Sequence, residues 1–381
     1  MSNKLSRRDF LKLSGVTSAG ILLSACGVKA AEVPTFTSTP LPSLTPFPTA
    51  IKTPIPTPTK TLKYLRDFAE KIGFNIGVAV GGYGFPEYYN FLIAIQGREF
   101  NLGMVYLDMT LTEPKQNQFT LRDQDSDFSL TQTYQMKSLG HPLIWFDAVP
   151  GWVKNGKFSR DELIGVMNNH IITMMNHYKG KMNSWVVVNE AYVRPSDDIF
   201  YKTIGPEYVD IAFQTARTTD PTGILIYNEF DNHIADGRFT QHTRDIVTHL
   251  KSKNLVDAVG LQMHLDGSNP PEKQDVITTM KSYGIPVYVT EFDVNMRSVK
   301  ETQDKRFEQQ AQVYKDMLEA ALESSVCKDF NIFGLVDKLS VWETQPQQWA
   351  YSPNANPLPW DDNFQPKPAY YAILDALKQH A

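Results

Sequence analysis

Beyond Leu62 the chain sets short apolar, often β-branched runs alternately with longer amphipathic stretches, and few architectures accept that order. The runs predict strands at "FNIGVAV" from Phe74, "LGMVYL" from Leu102, "HPLIWF" from His141, "WVVVN" from Trp185, "GILIYN" from Gly223, "DAVGLQM" from Asp257, "PVYVTEF" from Pro286 and "DFNIFGLV" from Asp329. Between them lie helical patterns with end signals. "SRDELIGVMNNHIITMMNHYKG" opens on Ser159 ahead of acidic residues and closes at Gly180, and "PEYVDIAFQTARTTDP" stops at Pro221. Strands that alternate with helices pair in parallel, and eight such units predict an α/β fold, a closed (β/α)8 TIM barrel. An open doubly wound sheet is the competitor, but no Gly-rich phosphate loop follows the first strand. Both faces of a parallel barrel strand are covered, so its strands read as continuous apolar runs.

The first sixty residues are of another kind. "SRRDFLKLSG" leads into the short apolar run "VTSAGILLSAC", the pattern of a twin-arginine export signal too short for a stable membrane span. Leu23-Ser24-Ala25-Cys26 resembles a bacterial lipobox, in which the cysteine is lipidated and becomes the new first residue; the plain alternative is an exported protein cut near Ala25. From Val33 to Thr61 the chain is dominated by Pro and Thr, a composition that favours extended, solvated backbone. The expected organisation is a signal over 1–25, a lipid-anchored linker over 26–61 and a catalytic barrel over 62–381. Cys327 is the one further cysteine, so no disulfide framework is implied. The formal charge is −5 and the signal carries +3, which leaves −8 on the rest, a balance that argues against a nucleic-acid partner.

In a parallel barrel the working face lies where strands end. Glu190 stands just past the fourth predicted strand and Glu291 at the end of the seventh. Helix N-capping explains either one alone; the pair at one mouth points to chemistry. Glycosidic bonds are cleaved by two carboxyl groups that differ in protonation, one giving a proton to the leaving oxygen and the other attacking carbon or activating water. The sixth strand ends in "GLQMHL", which offers Gln262 and His264 on alternate positions, and Asp293 follows Glu291. A histidine bonded to Glu291 helps keep it ionised, as a nucleophile requires.

The segments "WVVVNEA", "GLQMHL", "VYVTEFDV", "FNIFGLVDKLS" and "NFQPKPAYYAIL" resemble the successive signatures of glycoside hydrolase family 10, the endo-1,4-β-xylanase family, with weaker similarity from "REFN" at Arg98. The resemblance implies a (β/α)8 barrel and retaining cleavage of β-1,4 bonds in xylan or a related plant polysaccharide. It implies Glu190 as acid/base, Glu291 as nucleophile, Asn189 as the amide on the sugar 2-hydroxyl, and His264 and Asp293 as support for the nucleophile. His141 and Trp145, in "HPLIW", match residues that line the subsite beside the scissile bond. Gln262, Phe333 and Trp342 complete the expected sugar contacts. The chain departs from the family after the second strand, where Val105 and Asp108 fall at an amide and a lysine position in an ungapped alignment. It departs also at Phe146-Asp147-Ala148, at Phe230 for a tyrosine, and at Phe333 for a tryptophan, with the next tryptophan one place late at Trp342. The expectation is a reaction centre retained inside an altered glycone shell.

Met167, Met174 and Met175 sit at helical spacing and read as core. His170, His177, His233, His242, His249 and His380 form no evident ligand set, so neither a metal nor another cofactor is expected. "WETQPQQWAYSPNANPLPW" reads as a loop over the active face, with Trp349 or Trp360 either stacking on sugar or packing the loop. Two other classes compete with the enzyme: a sugar-binding lipoprotein with a decayed site, and a transporter's solute-binding lipoprotein. A mere binder needs no acid/base pair, and a two-lobed transport protein does not suit eight successive strand-helix units. The expected partners are a β-1,4-linked polysaccharide or oligosaccharide and the membrane through Cys26, with no nucleic acid, and the protein is expected to be a lipid-anchored monomer, cell-surface or extracellular.

Overall fold

Eight strands form the barrel: β1 (Asn75–Ala79), β2 (Leu102–Tyr106), β3 (Lys137–His141), β4 (Ser184–Asn189), β5 (Ile224–Glu229), β6 (Ala258–Leu261), β7 (Val287–Asn295) and β8 (Cys327–Ile332). Each pairs in parallel with the next, and β8 pairs with both β7 and β1, which closes the sheet. The computed structural model describes residues 62–79, 87–344 and 354–381. The expected signal, tether and Cys26, and Trp349, lie outside the described residues.

The third strand is not the run that the sequence favoured. "HPLIWF" was the more apolar stretch, but Pro142 has no N–H for a ladder, and β3 is the less conspicuous Lys137–His141, with Gly140 inside it. That glycine is required: a Cβ there would meet Leu107 Cδ1 at 2.8 Å and Trp185 Cε3 at 3.0 Å. Ile144–Trp145 instead forms a two-residue extension against β4, and His264–Asp266 a similar one against β7, both at the carboxyl end of the barrel.

The strands' alternation divides the interior into two cores. Leu102, Met104, Leu139, Val186, Ile226, Ala258 and Tyr288 point inward and pack together, with Tyr106 and Phe333 against them. Val105, Leu107, Val187, Val188, Val259 and Val289 belong to the larger core between barrel and helices. Register shifts interrupt the pairing at three places, between Val186 and Val188 in β4 and, where β8 meets β7, between Cys327 and Asp329 and between Phe330 and Ile332. The first and the last lie at the strand ends that carry the site carboxylates.

The helices follow their end signals. Ser159 caps the helix Arg160–Tyr178 in a reciprocal box with Glu162, and the helix Tyr208–Thr219 ends before Pro221. Met167, Met174 and Met175 are fully buried. Trp360 is 2% exposed, packed against Phe100 and Tyr370, so it is core and cannot stack on a ligand.

Candidate active site

The strand tips place two buried carboxyl groups at one mouth, Glu190 after β4 and Glu291 in β7. Glu190 holds a left-handed backbone with φ +56°, uncommon for a residue with a Cβ, and its N–H is tied to the Asn228 carbonyl at 3.0 Å. This kink turns the side chain inward to accept from Gln262 Nε2 at 2.9 Å, Trp145 Nε1 at 3.2 Å and Asn189 Nδ2 at 3.3 Å.

Glu291 is held differently. His141 Nε2 lies 3.4 Å from its Oε1 and His264 Nε2 3.4 Å from its Oε2, while Asn228 Nδ2 donates to Oε1 at 2.8 Å. Asp293 Oδ2 takes His264 Nδ1 at 3.0 Å and the Trp342 indole N–H at 2.7 Å. Phe333 meets the edge of the same imidazole at 5.2 Å.

Asn228, at the end of β5, joins the two halves. Its amide nitrogen donates to Asn189 Oδ1 as well as to Glu291, both at 2.8 Å, and the Thr290 hydroxyl donates to its oxygen at 2.7 Å. With Gln262 also on Asn189 Oδ1 at 3.3 Å, these partners fix which way each amide faces. Space for Asn228 comes from Gly260, where a Cβ would lie 2.1 Å from Asn228 Oδ1. Asn228 was absent from the expected site, although the rule that exposed Glu190 applies to it: a polar residue at the end of an apolar strand.

The environments push the two carboxyl groups apart. Burial raises Glu190 most, to about 7, with the Glu291 charge adding to it and the Gln262 and Trp145 donors opposing. Burial pulls Glu291 upward too, but His141, His264 and Asn228 outweigh it and hold the group below its ordinary value. Burial works against charge on His264, yet Asp293 and Glu291 prevail and raise it to about 10, so it stands as an imidazolium between two carboxylates. His141 goes the other way, lowered chiefly by burial and by the His264 charge. Near neutrality the mouth therefore presents one carboxyl able to give a proton and one fully ionised carboxylate.

All ten expected site residues meet here: Glu190, Glu291, Asn189, His264, Asp293, His141, Trp145, Gln262, Phe333 and Trp342. Two of the expected shell changes need correction. Val105 is fully buried in the outer core, because β2 turns it away from the barrel interior. Asp108 caps the short helix Met109–Thr112 through Leu111 N at 3.2 Å, and burial raises its carboxyl to about 6. Neither reports on sugar contacts, and the β2 residue that does face inward at the mouth is Tyr106. Asp147 pairs with Arg194, whose guanidinium lies 4.8 Å from the Phe146 ring centroid, and Phe230 packs on Phe239 at 4.7 Å. Among the described residues no group of three or more His, Cys, Asp or Glu is placed to hold a metal ion.

Comparison with known proteins identifies the family and the fold. The family description "Glycosyl hydrolase family 10" matches residues 65–376, and that of the twin-arginine translocation signal matches 4–24. An endo-1,4-beta-xylanase A of Phanerodontia chrysosporium is 33% identical over 69% of this chain and 64% of its own length. An endo-1,4-beta-xylanase B of Thermotoga neapolitana is 27% identical over 83% of this chain and 92% of its own. The chain thus spans just under two thirds of the first relative and nearly all of the second. Among solved structures, native xylanase 10B of Thermotoga maritima superposes with a TM-score of 0.76 at 28% identity, over 83% of this chain and 98% of that one. Xylanase 10B of Thermotoga petrophila, in complex with xylobiose, gives 0.76 at 27% identity, over 84% and 99%.

Proposed function

The chain belongs to glycosyl hydrolase family 10, and we propose from its site that it is a retaining glycosidase that cleaves β-1,4 bonds in xylan or a related plant polysaccharide. The observation that carries this is the opposite displacement of the two carboxyl groups: Glu190 is raised to about 7, and Glu291 is held down by two histidines and an amide.

In the first step a Glu291 oxygen bonds to the anomeric carbon while the bond to the leaving oxygen breaks, and Glu190 gives that oxygen its proton. The product is a glycosyl ester on Glu291 and a free hydroxyl on the leaving sugar. Esterification removes the Glu291 charge, and that charge is one of the causes holding Glu190 up. Glu190 therefore becomes more acidic, and now ionised it takes a proton from water as the water oxygen attacks the anomeric carbon and releases Glu291. Two inversions leave the configuration unchanged. We assign Asn189 to the sugar 2-hydroxyl, a role supported by Asn228 and Gln262 holding its amide in orientation.

The twin-arginine signal supports export. We place the barrel of 62–381 at the cell surface as a monomer, tethered by 26–61 to a lipid on Cys26. A binding-only lipoprotein would have no use for carboxyl groups displaced in opposite directions. The test is release of reducing sugars from β-glycans, together with two variants. Glu291→Ala abolishes turnover on every substrate. Glu190→Ala still forms the ester from activated aryl glycosides and regains turnover with azide, giving a β-glycosyl azide. Equal loss in both variants on activated substrates, with no azide effect, would overturn the assignment.

A further inference from the structure

Tyr106 ends β2, and its register partner in β3 is His141, the imidazole that touches Glu291. Leu102 and Met104, four and two places earlier, point into the barrel, so the alternation that turns Val105 outward brings Tyr106 inward at the level of the reacting carboxylate. Its ring meets the edge of His141 at 6.3 Å, as Phe333 meets His264 on the other side, and the two rings hold the histidines against Glu291. The neighbouring amides and Asp293 are engaged with one another or with the site's carboxylates and imidazole: Asn189, Asn228, Gln262 and Asp293 all hold hydrogen bonds within the site. The Tyr106 hydroxyl has no partner of its own among the described residues, and its ring is only partly covered. Burial and the charge of Glu291 disfavour its ionisation, so it remains an O–H donor throughout the working range.

We propose that Tyr106 is a specificity-determining residue, its hydroxyl donating to a hydroxyl of the sugar that becomes bonded to Glu291. The proposal rests on the glycosidase reading above. A neutral phenol selects by position without adding charge. It therefore favours a sugar whose hydroxyl lies at the correct height, and it rejects the analogue that lacks this hydroxyl.

The experiment pairs one variant with altered substrates. Tyr106→Phe removes a single oxygen and keeps the ring against His141. kcat/KM is measured on an activated aryl β-xylobioside and on its 2-deoxy and 3-deoxy forms at the reacting sugar, with melting temperature and pH profile alongside. The expected result is a loss of about fivefold to tenfold on the parent, with the melting temperature and both limbs of the pH profile unmoved. On the deoxy substrate that lacks the bonded hydroxyl, variant and wild type converge. A variant within about twofold of wild type on the parent overturns the proposal, as does an equal loss on all three substrates, which marks a structural role. Failure of the wild type to turn over any β-xyloside or to release reducing sugar from any β-1,4-glycan refutes the glycosidase reading itself and takes this proposal with it; an active wild type beside an unaffected variant refutes this proposal alone.

Discussion

Asp293→Asn isolates the charge that keeps His264 protonated beside the nucleophile. One Asp293 oxygen accepts from both His264 and the Trp342 indole, and an asparagine oxygen in the same place keeps both hydrogen bonds. What is lost is the larger of the two negative charges that overcome burial and raise His264 to about 10, Glu291 supplying the other. In the variant the His264 value falls, so the imidazolium that faces Glu291 at 3.4 Å gives up its proton at lower pH than in the wild type. Glu291 itself titrates below its ordinary value, where the imidazole is still protonated, so the acid limb stays in place and the change falls on the alkaline side. A neighbouring opposite charge moves a group by about one to three units, so His264 falls by at least about one. The assay is kcat/KM against pH on an aryl glycoside activated enough to need no general acid, so that Glu190 does not enter. The alkaline limb set by loss of the His264 proton should move down by at least about one unit. Stability provides a second reading. A histidine raised on folding contributes fully below its unfolded value and loses that contribution as pH rises through its folded value. For His264 the window runs from 6.5 to about 10. The decline of unfolding free energy between neutral pH and pH 10 should shrink markedly in the variant. A natively folded variant whose alkaline limb moves down by less than about half a unit would refute the reasoning.

Two further outcomes follow from the same contacts. Trp145→Phe removes the indole N–H on Glu190 Oε2, a donor that favours the ionised form, so Glu190 rises above about 7 and the alkaline limb on unactivated xylo-oligosaccharides moves upward; a limb moving downward contradicts the account. Cys26→Ser should transfer the protein from membrane to soluble fraction with its specific activity unchanged, and a wild type found wholly soluble removes the proposed anchor.

The barrel was legible because its strands must bury both faces, and seven of the eight apolar runs coincide with strands. The eighth shows the limit of that signal. "HPLIWF" is richer in apolar residues than "KSLGH", but the space between β2 and β4 at that point accepts only a glycine beside Leu107 and Trp185. Close approach of neighbouring backbones is a tertiary fact, and a hydrophobic run does not announce it. The same limit holds for Trp360, which the sequence offers as an aromatic residue of a loop and the fold uses to fill the core beside Phe100 and Tyr370.

At the site, residue identity was legible and parity was not. Glu190 and Glu291 declare themselves because a carboxylate at the end of an apolar strand has no packing reason to be there. An apolar residue next to a tyrosine gives no such contrast: "MVYL" reads as one run, and a one-place slip exchanges Val105 for Tyr106, an outer-core valine for a hydroxyl beside the nucleophile. The division of protons lies further still from the sequence. Glu190 and Glu291 are chemically identical and similarly buried, so burial alone would raise both and leave no nucleophile. The difference comes from His141 on β3, His264 beyond β6 and Asn228 on β5, three residues brought within reach of one carboxylate by closure of the barrel, with Asp293 on β7 behind His264. Closure is therefore what turns two equivalent side chains into an acid and a nucleophile.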